Sequence, residues 1–321
     1  MPLLISENDV NNLITMSAAL TLIEEVFGYT ASETASNQPR RRVASGTGTL
    51  NVMSAALPAR DVMGLKAYPT GPGGVRFVIL LFRASTSELL AIIEAGRLGE
   101  LRTGAASGVA TKHLAPAEAS TLGLYGAGTQ AATQLEAVAG VRKLDRVLVY
   151  ARRPENVATF CTRMTDRLSV SVVPASSPDE PLECEIVTTA TSSTVPLFPG
   201  DRVRPGTHLN VVGSNFASKA EIDIATVHRA SLVVVDSLAS ARLEGGDLLP
   251  LIDRGLLSWE WLIELGDIVS GRQEGRRAPD DVTLFNSHGV ASEDIVLAHD
   301  VWLRATRNGV GRPVSMFGDG A

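Results

Sequence analysis

The chain has 321 residues, 45% of them hydrophobic and 20% charged, with 29 Lys plus Arg against 35 Asp plus Glu. That length predicts two domains with a real core and no need of a disulfide or metal staple. The net charge of −6 argues against a general nucleic-acid-binding surface, which needs a basic face.

Apolar runs such as Phe77–Phe82 fall far short of the ~20 residues of a membrane span. The N-terminal MPLLISENDV has no basic n-region, so no signal peptide is expected. Cys161 and Cys184 are too far apart for a CxxC motif and predict two buried thiols in a reducing cytoplasm.

In chain order, apolar residues at Leu13, Ile14, Leu20, Ile23, Val26 and Phe27 predict one helix over 7–34. The polar stretch ASNQPRRRVASGTGT reads as turns. From Leu50 to Ile93 the short runs LNVM, GLKAY, FVILLF and ELLAII predict strands separated by Gly and Pro. The small-residue run from Arg102 to His113 reads as a tightly packed helix. From about Pro116 strands alternate with helices: TLGLYGAG, helix Thr129–Val141, DRVLVYA, helix PENVATFCTRM, VSVVP, EIVTTAT, HLNVVGS and SLVVVDS. Near-continuous apolar strands in such alternation predict a parallel sheet covered on both faces. The last segment, SEDIVLAHDVWLRAT, reads as an amphipathic helix that returns to the first domain.

Gly126-Ala127-Gly128-Thr129-Gln130-Ala131 reads G-x-G-x-x-A between a strand and a helix. The first Gly suits the tight turn, the second lets a pyrophosphate reach the backbone, and the small third residue lets helix and strand pack closely. The helix N-terminus adds N–H donors for phosphate. In this context the motif points to dinucleotide binding, with a ligand-free Gly-rich turn as the plainer alternative. Where a carboxylate at the end of the second strand would hold the ribose of NAD, the chain has Ala151-Arg152-Arg153. Two guanidinium groups suit a 2′-phosphate, which favours NADP(H) over NAD(H).

Arg40, Arg41 and Arg42 follow Pro39, Lys66 interrupts an apolar strand, and Arg102 opens the small-residue helix. Each taken singly also fits a surface charge or a structural ion pair. Together they suit an anionic carboxylate beside a nicotinamide, and an amine among other cations has a depressed pKa suited to acid–base work. No GxSxG elbow or HExxH helix is present, and the five histidines are scattered. His288, in FNSHGVASED, reads as a loop residue that could line a pocket, with a turn or packing role the plainer reading.

The stretches QPRRRV, TLNVMSAAL, GLKAY, LRTGAASGVATKHLAP, LGLYGAGTQA, VYARRPENVATF, PGTHLNVVGS, KAEID, VVVDS, EGGDL, ELGDIVSGR and FNSHGVASED resemble, in this order, the ornithine cyclodeaminase/μ-crystallin family. The resemblance implies an α/β homodimer with a Rossmann dinucleotide-binding domain over 117–292. A split α+β substrate and dimerisation domain would comprise 1–116 and 293–321. It implies Lys66 as the acid/base group and Arg41 and Arg102 as binders of a substrate carboxylate. Thr103, Gly126, Gly128, Thr129, Gln130, Arg152, Arg153, Thr191, Val212 and Ser214 would line the cofactor, and no metal is implied.

Three departures bear on activity. Asn215 stands where deaminating and alanine-oxidising members resemble one another in carrying Asp, and an amide neither takes a proton at neutral pH nor balances an ammonium. Val75 stands where relatives often carry His, and Arg83 where an acid is expected. The implied activity is therefore NADP(H)-dependent reduction of a small cyclic or linear imino acid, with Asn215 hydrogen-bonding the substrate nitrogen. Ornithine cyclodeamination and a non-catalytic NADPH-binding protein are the alternatives.

Overall fold

Short polar side chains set how the chain starts. After strand β1 (Leu3–Ile5), Ser6 caps helix α1 (Glu7–Leu13) in a reciprocal box with Asp9. Thr15 then caps α2 (Met16–Ala31) by accepting from the Ala18 N–H. The single helix expected over 7–34 is thus two, because Ile14 and Thr15 are extended at the junction. α2 buries Met16, Ala19, Leu22, Ile23, Val26 and Phe27, one face of the helix. These coordinates come from a computed structural model that describes residues 1–213 and 215–316.

The strands that follow are β2 (Ser36–Ala44), β3 (Thr49–Leu57), β4 (Val62–Gly71), β5 (Gly74–Val75), β6 (Val78–Arg83) and β7 (Leu89–Glu94). Among the described residues they form an eight-stranded sheet ordered Arg312–Pro313, β1, β7, β6, β4, β3, β2, with β5 on β4. β2 lies in the stretch read as turns. It is an edge strand, and its polar, Arg-rich sequence with an internal Pro is tolerated there because one side of an edge needs no ladder partner. Its register against β3 shifts between Gln38 and Arg41, a bulge at Pro39-Arg40.

The chain divides into two compact units, Met1–Arg102 with the segment from Val290 onward, and Thr103–Gly289. The boundary falls inside helix α3 (Gly96–Leu114) and not near Pro116 as expected. The second half of α3 is bonded into the second unit: the Thr103 carbonyl accepts from Gln134, Thr111 Oγ1 from Asn210, and the Thr111 carbonyl from Arg142. The C-terminal helix, Ala291–Asn308, belongs to the first unit and packs on β3 and β4. It ends at Gly309 in the left-handed conformation, the usual stop.

The second unit holds strands β8 (Thr121–Tyr125), β9 (Arg146–Tyr150), β10 (Ser171–Pro174), β11 (Ile186–Thr189), β12 (His208–Val211), β13 (Leu232–Val235), β14 (Leu262–Glu264) and β15 (Thr283–Asn286). They pair in the order β10-β9-β8-β11-β12-β15-β13-β14, and every pairing is parallel. Leu122, Leu124, Val147 and Ile186 pack with Leu135 and Val138 of α4 (Thr129–Val141) and Phe160 and Met164 of α5 (Pro154–Leu168). Val187, Leu209, Val235 and Leu284 build a second core with Leu248 and Leu251. The strand order reverses beside β8, the switch point at which doubly wound sheets bind ligands.

His208 sits in the middle of this sheet, its Nδ1 2.9 Å from Thr283 Oγ1 and its Nε2 3.2 Å from Asn210 Oδ1. Burial, then the Arg276 charge, lower its pKa from 6.5 to about 3, so the folded ring is neutral. A pKa depressed on folding gives stability that is complete above pH 6.5 and lost as pH falls toward about 3. In denaturant titrations the wild type should lose about 2 kcal/mol more than His208→Gln between pH 6 and pH 4. Equal losses would contradict a neutral buried His208.

Candidate functional site

The first unit buries charge. Strand alternation puts Val62, Gly64, Lys66 and Tyr68 on the covered face of β4, and Lys66 stands opposite Met53 on one side and Ile79 on the other. Lys66 is 2% exposed, so its ammonium has almost no contact with bulk water and needs a partner within the protein. It donates to Asp294 Oδ1 at 2.8 Å, on the first turn of the C-terminal helix. Arg102 Nη1 lies 3.0 Å from Glu293 Oε2, and Arg102 Nε lies 3.5 Å from Asp294 Oδ1. Both carboxylates are fully buried. Asn37 on β2 pins the same helical turn, donating to Ser292 Oγ at 3.0 Å and accepting from the Ser292 N–H at 2.7 Å.

Nζ of Lys66 also lies 4.9 Å from the centre of the Phe77 ring. Gly99 of α3 leaves it room, since a Cβ there would stand 2.8 Å from Nζ. Burial pulls the Lys66 pKa down, Asp294 pushes it back up, and Arg102 and Arg40 add to the lowering. The net direction is downward.

The bulge in β2 decides which arginine joins this face. Arg41 pairs with Val52 on the opposite face of β3 and is exposed. Arg40 is buried on the Lys66 side and adds its charge there. The expected role of Arg41 as a carboxylate binder therefore does not fit its place. A bulge adds one residue and so moves every following side chain to the other face. Glu293 and Asp294 were not singled out in the sequence, where acids in the first turn of a helix are ordinary.

In the second unit the Gly126–Gln130 turn joins β8 to α4. Gly126 has φ +119°, and a Cβ there would overlap the Ala190 carbonyl oxygen. Gly128 caps α4, and a Cβ there would meet open space. A turn of this kind, open at Gly128 ahead of a helix N-terminus, suits a phosphate. Arg152 and Arg153 are exposed between β9 and α5. Asn215 lies in the segment after β12 and is partly buried, while Ser214 lies outside the described residues.

Buried carboxylates tie the loops at the ends of these strands. Glu221 accepts from Thr189 Oγ1 at 2.7 Å, Thr191 N at 2.8 Å and Gly213 N at 2.7 Å, which links the loops after β11 and β12 and fixes Thr191, while the Val212 N–H donates to the Thr189 carbonyl. Asp247 accepts from Glu221 N at 2.7 Å and Asn286 Nδ2 at 3.1 Å. Burial raises the pKa of both Glu221 and Asp247 against these donors. Asp236 Oδ2 takes Ser287 Oγ at 3.0 Å and His288 N at 2.7 Å, with His288 Nδ1 3.5 Å from Oδ1. Burial would raise Asp236, but His288 and the N–H donors outweigh it and hold the carboxyl low. His288 is thus buried in the segment after β15, against Asp236.

A doubly wound sheet with a glycine phosphate turn at its switch point, joined in sequence to a unit with a buried lysine–carboxylate cluster, defines a dinucleotide-binding α/β class. Within that class the chain belongs to the ornithine cyclodeaminase/mu-crystallin family, whose model matches residues 2–309. A solved structure of Thermococcus litoralis Delta(1)-pyrroline-2-carboxylate reductase in complex with NADH and L-proline is 33% identical, with a TM-score of 0.93, covering 97% of this chain and 100% of that one. An archaeal alanine dehydrogenase dimer with bound NAD is 30% identical, with a TM-score of 0.93, over 98% of this chain and 99% of that one. The iminosuccinate reductase of Paracoccus denitrificans is 31% identical, over 98% of this chain and the whole of the relative.

Gly126→Ala should destabilise the second unit by about 1–3 kcal/mol, from the strained φ and the blocked carbonyl together. Gly128→Ala should leave thermal stability nearly unchanged and weaken dinucleotide binding. A Gly126→Ala protein as stable as wild type would contradict this turn.

Proposed function

We propose that the chain is an NADP(H)-dependent reductase of small imino acids, a homodimer working in the cytoplasm. The observation that carries the reading is the pair of cations, Lys66 and Arg102, held in the core of one unit by Asp294 and Glu293. The relatives support the reaction class, since their names cover reduction of a cyclic imino acid, reduction of iminosuccinate and dehydrogenation of alanine.

The turn fits a dinucleotide on its own geometry: Gly126 is obligatory, Gly128 is open, and the α4 N-terminus is exposed at Thr129 and Gln130. Those residues would hold the pyrophosphate, with Thr103, Thr191, Val212 and Ser214 as neighbours. A bound nicotinamide supplies the electron pair that reduces the C=N carbon. The relatives are described with NADH and NAD; the preference for NADP(H) rests on Arg152 and Arg153, exposed where a 2′-phosphate would sit.

Arg102 and, in place of Arg41, Arg40 bind the substrate carboxylate. A guanidinium has five N–H donors, so Arg102 serves Glu293 and a substrate oxygen together. Lys66 gives a proton to the imine nitrogen, and Asn215 hydrogen-bonds that nitrogen without charge. The free, buried cysteines fit a reducing compartment, their thiols pushed up to about 11 by burial. No helix among the described residues is long and apolar enough to cross a membrane.

The test is NADPH oxidation with a panel of imino acids led by pyrroline-2-carboxylate. Turnover should appear, and Arg40→Ala should raise KM by about tenfold or more while Arg41→Ala leaves it within about twofold. Proline and ammonia formed from ornithine with no net NADPH consumption, or intact NADPH binding with no turnover on any imino acid, would overturn the reading.

Arg152→Asp should weaken NADPH by about tenfold or more and NADH far less, measured by quenching of protein fluorescence. Equal loss for both cofactors would remove the 2′-phosphate assignment.

A further inference from the structure

We propose that Asp294 is the positioning residue of Lys66: a fixed carboxylate on the C-terminal helix that keeps the ammonium charged and its Nζ in place, while Glu293 holds Arg102 alongside. The inference rests on the reading of Lys66 as the proton donor of an imino acid reductase. Reduction of C=N adds a hydride to carbon, which a bound reduced nicotinamide would supply, and one proton to nitrogen; the proton is the half that this chain's side chains handle. Lys66 gives it from Nζ to the imine nitrogen and regains it from solvent.

The geometry carries the assignment. Lys66 is 2% exposed and Asp294 is fully buried, and 2.8 Å separates Nζ from Oδ1. The charged groups that face Nζ are Asp294 on the C-terminal helix, Arg102 on α3 and Arg40 on β2, with Glu293 one step away on Arg102. From β3 and β6 its cross-strand neighbours, Met53 and Ile79, carry no charge. Burial and two guanidinium groups all favour the neutral amine, and among these groups Asp294 is the one that contacts Nζ and favours the ammonium. The helical turn that bears Asp294 is itself fixed by the Asn37–Ser292 pair of hydrogen bonds. A neutral Lys66 has no proton to give, so loss of this carboxylate weakens the donor.

The chain has four lysines, so protein labelled with ¹³C at lysine Cε gives four side-chain signals, and Lys66→Met assigns one of them. In the dinucleotide-free protein, Asp294→Asn should lower the Lys66 titration midpoint by about 1–3 pH units. Glu293→Gln should lower it less, and Asp294→Glu should restore it. The high-pH limb of kcat should move down with the midpoint in Asp294→Asn, with KM changing less than kcat. A Lys66 midpoint unmoved in folded Asp294→Asn overturns the proposal even where the wild type reduces imino acids. A shifted midpoint in a protein that turns over no imino acid leaves the positioning role intact and removes the functional reading instead. Should Asp294→Asn not fold, the Lys66→Met/Asp294→Asn double variant decides: restored folding upholds the pairing, and failure to fold although Lys66→Met folds overturns it.

Discussion

Removing Lys66 and Arg102 from water is the constraint on which the first unit is built. Each buried ion carries an effective penalty of several kcal/mol, so each must meet an opposite charge at hydrogen-bond distance. The carboxylates that meet them come from residues 293 and 294, nearly two hundred positions beyond Arg102. The C-terminal helix has to return across β3 and β4 to deliver them, which is why this unit is split in sequence. Gly99 leaves the space for Nζ, and Asn37 fixes the helical turn. Fold and cluster are thus two aspects of one requirement.

The second unit solves a related problem with carboxylates alone. Loops at the ends of parallel strands have backbone N–H groups without ladder partners, and buried N–H groups need acceptors. Glu221, Asp247 and Asp236 supply them, binding Thr191, Gly213, Ile222, His288 and Gly289. The loops at the switch point are therefore held by internal hydrogen bonds, and the glycine turn before α4 is left clear for a ligand.

Much of the second unit was legible because its signals are local. Apolar strands, the G-x-G-x-x-A spacing and the alternation with helices all lie within a few residues of one another, and β8, α4, β9 and α5 form where that pattern places them. The first unit was legible in its apolar strands and in the odd placement of Lys66. What stayed hidden depends on register. β2 is polar and carries a proline, so nothing in its sequence announces a strand, and its bulge exchanges Arg41 for Arg40 on the inner face. Glu293 and Asp294 follow a helical N-terminus, where acids are ordinary on electrostatic grounds alone. Their burial becomes visible only when the helix is placed against the sheet.

Stability alone does not account for the cluster. A buried ion pair replaced by well-packed apolar residues of similar volume is often as stable or more so, because the desolvation cost disappears with the charges. The surroundings of Lys66 would accept such a replacement: Met53 and Ile79 flank it across the sheet, and Phe77 lies over it. An aliphatic residue there, facing another at 294, would complete an ordinary core. The chain instead keeps an amine where burial lowers its pKa and opposes that lowering with a carboxylate, an arrangement that core packing does not call for and that fits the proton donor proposed for Lys66.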